Sequence, residues 1–123
     1  MPVDLILVVD DNDKNQRLAR DVLRVNGFRT LEASTAGEAL TLAAEQLPDV
    51  ILMDVRLPDM SGVEAVRRLK ADPSTATIPV IALTAFAMEG QREWLLDAGF
   101  DDYIAKPIDI HTFPEAVRGH CSG

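Results

Sequence analysis

The chain has 123 residues, 47% of them apolar, which is enough for one domain with a single core and too many for a disordered chain. A formal charge of −8 disfavours direct contact with nucleic acid or an anionic membrane, since both need a cationic footprint. Cys121 is the only cysteine and cannot close an internal disulfide, and runs such as Leu5 to Val9 fall far short of the roughly 18 apolar residues of a membrane span.

Leu5 to Val9 is continuously apolar, the mark of a strand covered on both faces. Asp11, Asn12 and Asp13 follow and can cap a helix in which Leu18, Val22 and Leu23 recur at helical spacing; Asn26-Gly27 ends it. Phe28 to Ala33 reads as the second strand. Thr35-Ala36-Gly37-Glu38 is a capping box that opens a helix with Ala39, Leu40, Ala43 and Leu47 on one face, stopped by Pro48. Val50 to Met53 is the third strand. Ser61-Gly62-Val63-Glu64 caps the next helix, which carries Val66 and Leu69 and is broken by Pro73. Pro79 to Thr84 is the fourth strand, and a helix with Met88, Leu95 and Ala98 on its stripe runs through Trp94 and ends at Gly99. Tyr103 to Ala105 is a short fifth strand. Thr112-Phe113-Pro114-Glu115 reads as a last capping box, with Pro114 tolerable in the first turn, and Gly119 predicts a short final helix.

Five β-α alternations predict an α/β fold: a doubly wound, five-stranded parallel sheet with five helices on its two faces. Right-handed crossovers leave few topologies, and the flavodoxin-like strand order 2-1-3-4-5 is expected. The N-terminus lacks a positive leader and a small-residue cleavage site, so one domain over residues 1–123 in a reducing cytoplasm is expected.

In such sheets, sites form outside the carboxyl ends of the strands. The first strand ends in Asp10-Asp11, the third in Asp54 and the fourth in Thr84, and the fifth is followed by Lys106. These strands are neighbours in the expected order, so the five side chains converge on one edge. Three carboxylates against one lysine leave an excess of negative charge, which raises at least one carboxyl pKa unless a cation joins them. An all-oxygen donor set favours Mg²⁺ over zinc. A carboxylate can also serve as a phosphoryl acceptor, in chemistry that asks for positioning and charge neutralisation rather than covalent work. Taken singly, each residue has a plainer explanation: Asp11 or Asp13 as a helix cap, Asp54 as a turn cap before Pro58, Thr84 as a local hydrogen-bonding residue. Capping does not explain why a lysine joins the carboxylates. His111 and His120 show no metal-ligand spacing, and neither a glycine-rich phosphate loop nor a Gly-x-Ser-x-Gly elbow is present.

The motifs Val8 to Asn12 (VVDDN), Ile51 to Gly62 (ILMDVRLPDMSG), Pro79 to Ala85 (PVIALTA) and Tyr103 to Ile108 (YIAKPI) resemble, in order and spacing, the receiver domain of bacterial two-component response regulators. The flavour is similar to receivers of hybrid histidine kinases and of single-domain regulators of the DivK type. The resemblance implies that Asp54 takes a phosphoryl group from a phosphohistidine on a sensor histidine kinase or a histidine phosphotransfer protein. It implies a Mg²⁺ held by Asp10, Asp11, Asp54 and the backbone carbonyl of Arg56. Lys106 is expected to contact the phosphoryl group, with its peptide to Pro107 cis. Thr84 is expected to swing toward the phosphate, Tyr103 to follow, and the face of fourth helix, fifth strand and fifth helix to change its binding of a downstream protein. Arg56 and Phe86 sit where the family varies and where access to Asp54 is set. Trp94 lies off the centre of its helical stripe and is a candidate partner anchor. Too few residues follow Lys106 for more than one helix, so output is expected through partner proteins. Two other functions stay open: a Mg²⁺-dependent phosphohydrolase, which would want an Asp where Arg56 stands, and a binding module that is never phosphorylated.

Overall fold

A computed structural model describes residues 4–85 and 91–121. Five strands and five helices alternate among them: β1 (Leu5–Val9), α1 (Asp13–Val25), β2 (Arg29–Ala33), α2 (Ala36–Gln46), β3 (Val50–Asp54), α3 (Gly62–Ala71), β4 (Val80–Thr84), α4 (Gln91–Ala98), β5 (Asp102–Ala105) and α5 (Phe113–Arg118). All pairings are parallel, in the order β2-β1-β3-β4-β5. The expected flavodoxin-like sheet is the one observed.

The continuous apolar runs are explained by the two layers that cover them. Side chains alternate across a strand. Ile6, Val8, Val50, Leu52, Ile81 and Leu83 face α1 and α5, where they meet Ala19, Leu23, Phe113 and Val117. Leu7, Val9, Ile51, Met53, Val80 and Ala82 face α2, α3 and α4, against Ala39, Ala43, Val66, Leu69 and Leu95. Both faces are therefore dry, and each fully buried Leu, Ile or Val contributes about 1.5–3 kcal/mol of transfer free energy. The backbone has to leave this layer at the strand ends, and the polar residues begin there.

Three helix starts are capped as their sequences predict. Asn12, Thr35 and Ser61 each hold an extended backbone and accept through the side chain from the N–H three residues on, at 3.1, 3.1 and 3.2 Å. Because Asn12 takes the α1 cap, neither Asp11 nor Asp13 does.

Two details depart from expectation. Leu47 is not on the buried face of α2: the helix ends at Gln46, and Leu47 is 55% exposed with φ 47°. Pro48 disfavours the right-handed helical region for the residue before it, and Leu47 turns left-handed instead. Thr112 does not form a capping box. Its backbone is right-handed helical and its side chain makes no cap bond, because the preceding turn already winds into α5. Asp109 closes that turn, its carbonyl accepting from the Thr112 and Phe113 N–H groups and its carboxylate from the His111 N–H. The expected short last helix is observed, at six residues. Met88 and Phe86 lie outside the described residues. No helix among the described residues is long and apolar enough to cross a membrane.

Candidate phosphoacceptor site

At the carboxyl edge of the sheet, Asp10, Asp11, Asn12, Asn15, Asp54, Val55, Arg56, Thr84, Ala85, Gln91, Trp94 and Lys106 line a cleft of about 560 Å³. Of the residues singled out in the sequence, it holds Asp10, Asp11, Asp54, Arg56, Thr84, Lys106 and Trp94. Tyr103 is not among the lining residues; it is half-buried on β5, opposite Ala82, and packs on the α2-α3-α4 side of the core.

The carboxylates, Thr84 and Lys106 are delivered by strand ends, and Trp94 by α4. β1 and β3 are adjacent, with Val9 opposite Met53, so Asp10 and Asp54 leave the sheet side by side. Asp10, Asp11 and Asp54 each place one carboxylate oxygen within 4.8 Å of the others. Thr84 pairs with Ala105, and the Lys106 N–H donates to the Thr84 carbonyl at 2.7 Å, which brings the lysine over β4 toward the carboxylates. The Lys106–Pro107 peptide is cis.

Lys106 Nζ donates to Asp10 Oδ2 at 2.8 Å and to Asp54 Oδ2 at 2.9 Å. Asp10 is further held by the Asn12 N–H at 2.9 Å, and Asp54 Oδ1 accepts the Arg56 N–H at 3.0 Å. Asp10 is almost wholly buried, at 1% exposure. Burial pushes its carboxyl above the ordinary 3.8, against the pull of Lys106 and the Asn12 N–H, and the neighbouring Asp54 charge adds to the rise. Burial works against the Lys106 charge as well, yet the hydrogen bonds to Asp10 and Asp54 outweigh it and hold the ammonium above its ordinary 10.5. One lysine among three carboxylates is thus an incomplete neutralisation. A hard divalent cation fits the remaining deficit, and the donors are all oxygens.

Three supports were not visible in the sequence. Gln16 Nε2 donates to the carbonyls of Asp10 and Ala33 at 3.2 and 3.0 Å, tying α1 to the ends of β1 and β2. Gly62 N–H donates to the Val55 carbonyl at 2.8 Å, and Arg56 bridges Ser61, so the loop after Asp54 folds back on itself. Asp59, in that same loop, accepts the Ala36 and Gly37 N–H groups at 2.8 Å each and ties it to the N-terminus of α2. Those bonds hold the Asp59 carboxyl below its ordinary 3.8. A depressed folded-state pKa contributes stability that is present above the unfolded value and is lost as pH falls through the folded one. Asp59→Ala is therefore expected to lower the thermal midpoint at pH 7, with the gap to wild type closing below about pH 4. Thermal melts at both pH values check this; a gap that persists at low pH would mean that the side chain acts by packing alone.

The sequence model of the response regulator receiver domain matches residues 6–118. The polar-differentiation response regulator DivK of Brucella ovis is 43% identical over 115 residues, covering 94% of each chain. A response regulator from Chloroflexus aurantiacus superposes with a TM-score of 0.91 at 31% identity, over 97% of this chain and 98% of that one. The receiver domain of a Pseudomonas aeruginosa sensor histidine kinase, solved with a magnesium ion coordinated in its active-site cleft, gives a TM-score of 0.84 at 39% identity, over 97% and 95%. With the sheet order, the acidic cleft and these matches in agreement, the chain belongs to the response regulator receiver domain family.

Proposed function

We propose that the chain, read as one receiver domain over residues 1–123, is a phosphoacceptor switch. In this role Asp54 takes a phosphoryl group from a phosphohistidine on a sensor histidine kinase or histidine phosphotransfer protein. The observation that carries this is the arrangement at Asp54: a carboxylate at a cleft, one oxygen fixed by the Arg56 N–H and the other by Lys106, beside two further carboxylates. A carboxylate so held is oriented as a nucleophile and has a cation in reach of the group it would receive.

Asp10, Asp11, Asp54 and the backbone carbonyl of Arg56 would hold Mg²⁺; when bound it supplies positive charge to the phosphoryl oxygens. The magnesium in the Pseudomonas receiver's cleft supports that assignment. Lys106 is the phosphoryl contact, and the Thr84 hydroxyl, on the buried end of β4, donates to a phosphoryl oxygen. A phosphorylated side chain carries about −2 near neutral pH, so accepting the group replaces one charge by two. That change biases Thr84 and Tyr103, and through them the α4-β5-α5 face that binds a downstream effector protein. On this account the chain catalyses only its own phosphorylation and dephosphorylation, in the cytoplasm.

The test is incubation with Mg²⁺ and acetyl phosphate, read by mass spectrometry. Wild type is expected to gain one phosphoryl group that Asp54→Asn does not gain, and chelation of the metal is expected to abolish the gain. No gain on wild type, or an equal gain on Asp54→Asn, would sink the proposal. A phosphohydrolase would instead turn over small phosphomonoesters repeatedly, and Arg56 stands where its acid-base Asp belongs.

A further inference from the structure

We infer that Trp94 tunes the cleft to its phosphodonor, favouring a planar aromatic leaving group, the imidazole ring of a phosphohistidine, over a small acyl one. The inference rests on the acceptor role proposed for Asp54 and adds a specificity-determining residue to it.

The cleft is graded in burial. Asp10 is 1% exposed, and the side chains of Asp54 and Lys106 are 14% and 16% exposed. Trp94, the chain's only tryptophan, is 52% exposed and lines the same cleft. On this gradient we place the reacting carboxylate toward the closed end of the cleft and the indole toward the open one. Gln91, three residues earlier on α4, also lines the cleft, so one helical face forms this wall. Its neighbour Leu95 is buried in the core and fixes the rotation of that face.

Phosphoryl transfer is roughly in line, with attacking and leaving atoms on opposite sides of phosphorus. With Asp54 at the inner end, the leaving group lies toward the mouth. For a phosphoimidazole, the Asp54 carboxylate oxygen forms the new O–P bond and the P–N bond breaks. Its electron pair returns to the ring nitrogen. The proton on the other ring nitrogen stays there, and imidazole departs neutral. Before transfer that protonated ring is a planar cation. An indole face stacks on such a ring through both aromatic and cation–π attraction. The acetate released from acetyl phosphate is small and anionic and has no such face to offer. Trp94 should thus raise the rate constant with the aromatic donor and leave the other nearly unchanged.

The experiment measures second-order rate constants for phosphorylation of Asp54 by phosphoimidazole and by acetyl phosphate, in Mg²⁺, for wild type, Trp94→Ala and Trp94→Phe. Loss of the indole is expected to slow the phosphoimidazole reaction roughly three- to tenfold, the range of one aromatic contact. Acetyl phosphate should change less than about twofold, and Trp94→Phe should recover most of the loss. An equal change for both donors, or none for either, overturns the inference and leaves the acceptor role standing. Failure of both donors to modify Asp54 in wild type overturns the acceptor role, and the inference with it.

Discussion

Lys106→Met is expected to cost about 3 kcal/mol of folding stability at pH 7 without divalent cation, falling to about 1 kcal/mol at pH 5. Lys106 Nζ lies 2.8 Å from an Asp10 carboxylate that is 1% exposed. Removing the ammonium leaves a buried charge whose remaining hydrogen-bond donor among the described residues is the Asn12 N–H, and breaking a buried pair from one side typically costs about 3–5 kcal/mol. Protonation sets a ceiling. Neutralising a carboxyl of ordinary pKa 3.8 at pH 7 costs about 1.36 kcal/mol per unit, or about 4 kcal/mol, and at pH 5 under 2 kcal/mol. The sign follows from linkage. A carboxyl whose folded-state pKa is raised destabilises the fold above its unfolded pKa, and the penalty fades as pH falls through the folded value. Denaturant melts at the two pH values measure this. Asp10→Asn combined with Lys106→Met should recover most of the loss, since the most deeply buried charge is then gone and Asp54, less buried, keeps the Arg56 N–H. A loss that is small and flat with pH would show that Asp10 is solvated in a way its burial does not suggest.

The parts of this molecule that were legible in the sequence are those set by local pattern. The dry runs Leu5–Val9 and Val50–Met53 named the central strands, because only a strand covered on both faces tolerates unbroken apolar residues. Once the strand order is assumed, the residues after each run must meet at one edge, and Asp10, Asp11, Asp54, Thr84 and Lys106 do. What the sequence hid depends on contacts between segments. Asp59 caps a helix more than twenty positions before it, and Gln16 reaches a strand end beyond its own, so no spacing rule points to either. Thr112 carried the letters of a capping box, but the conformation of its own backbone, set by the turn from Asp109, decided otherwise. That Trp94, half-exposed on α4, also lines the cleft was hidden because helical periodicity gives only an angle, and the cleft is completed by the ends of β1, β3 and β4 beside it.

Gly62→Ala sets two local rules against each other. As the first residue of α3, Gly62 should gain about 0.5–1 kcal/mol from alanine on helix propensity alone. The structure predicts the opposite sign. A Cβ at this position would stand 2.6 Å from the Asp54 carbonyl oxygen, 2.9 Å from Val55 Cα and 3.2 Å from the Val55 carbonyl oxygen. All three are backbone atoms, so no side chain can swing aside, and β3 and the start of α3 must separate. Overpacking of this kind costs about 1–3 kcal/mol, and more when the backbone itself has to move; a net loss of about 3 kcal/mol is expected. The displaced segment carries Asp54, whose Oδ1 is set by the Arg56 N–H just beyond it. Phosphoryl acceptance from acetyl phosphate should therefore fall in the folded fraction too. Gly27→Ala serves as the comparison: at φ 91° with nothing within 4 Å of the added Cβ, it carries backbone strain alone, about 1–2 kcal/mol, and should leave acceptance at Asp54 intact. A Gly62→Ala protein as stable as wild type and equally phosphorylated would mean that the close approach of α3 to the end of β3 is not what holds Asp54 in place.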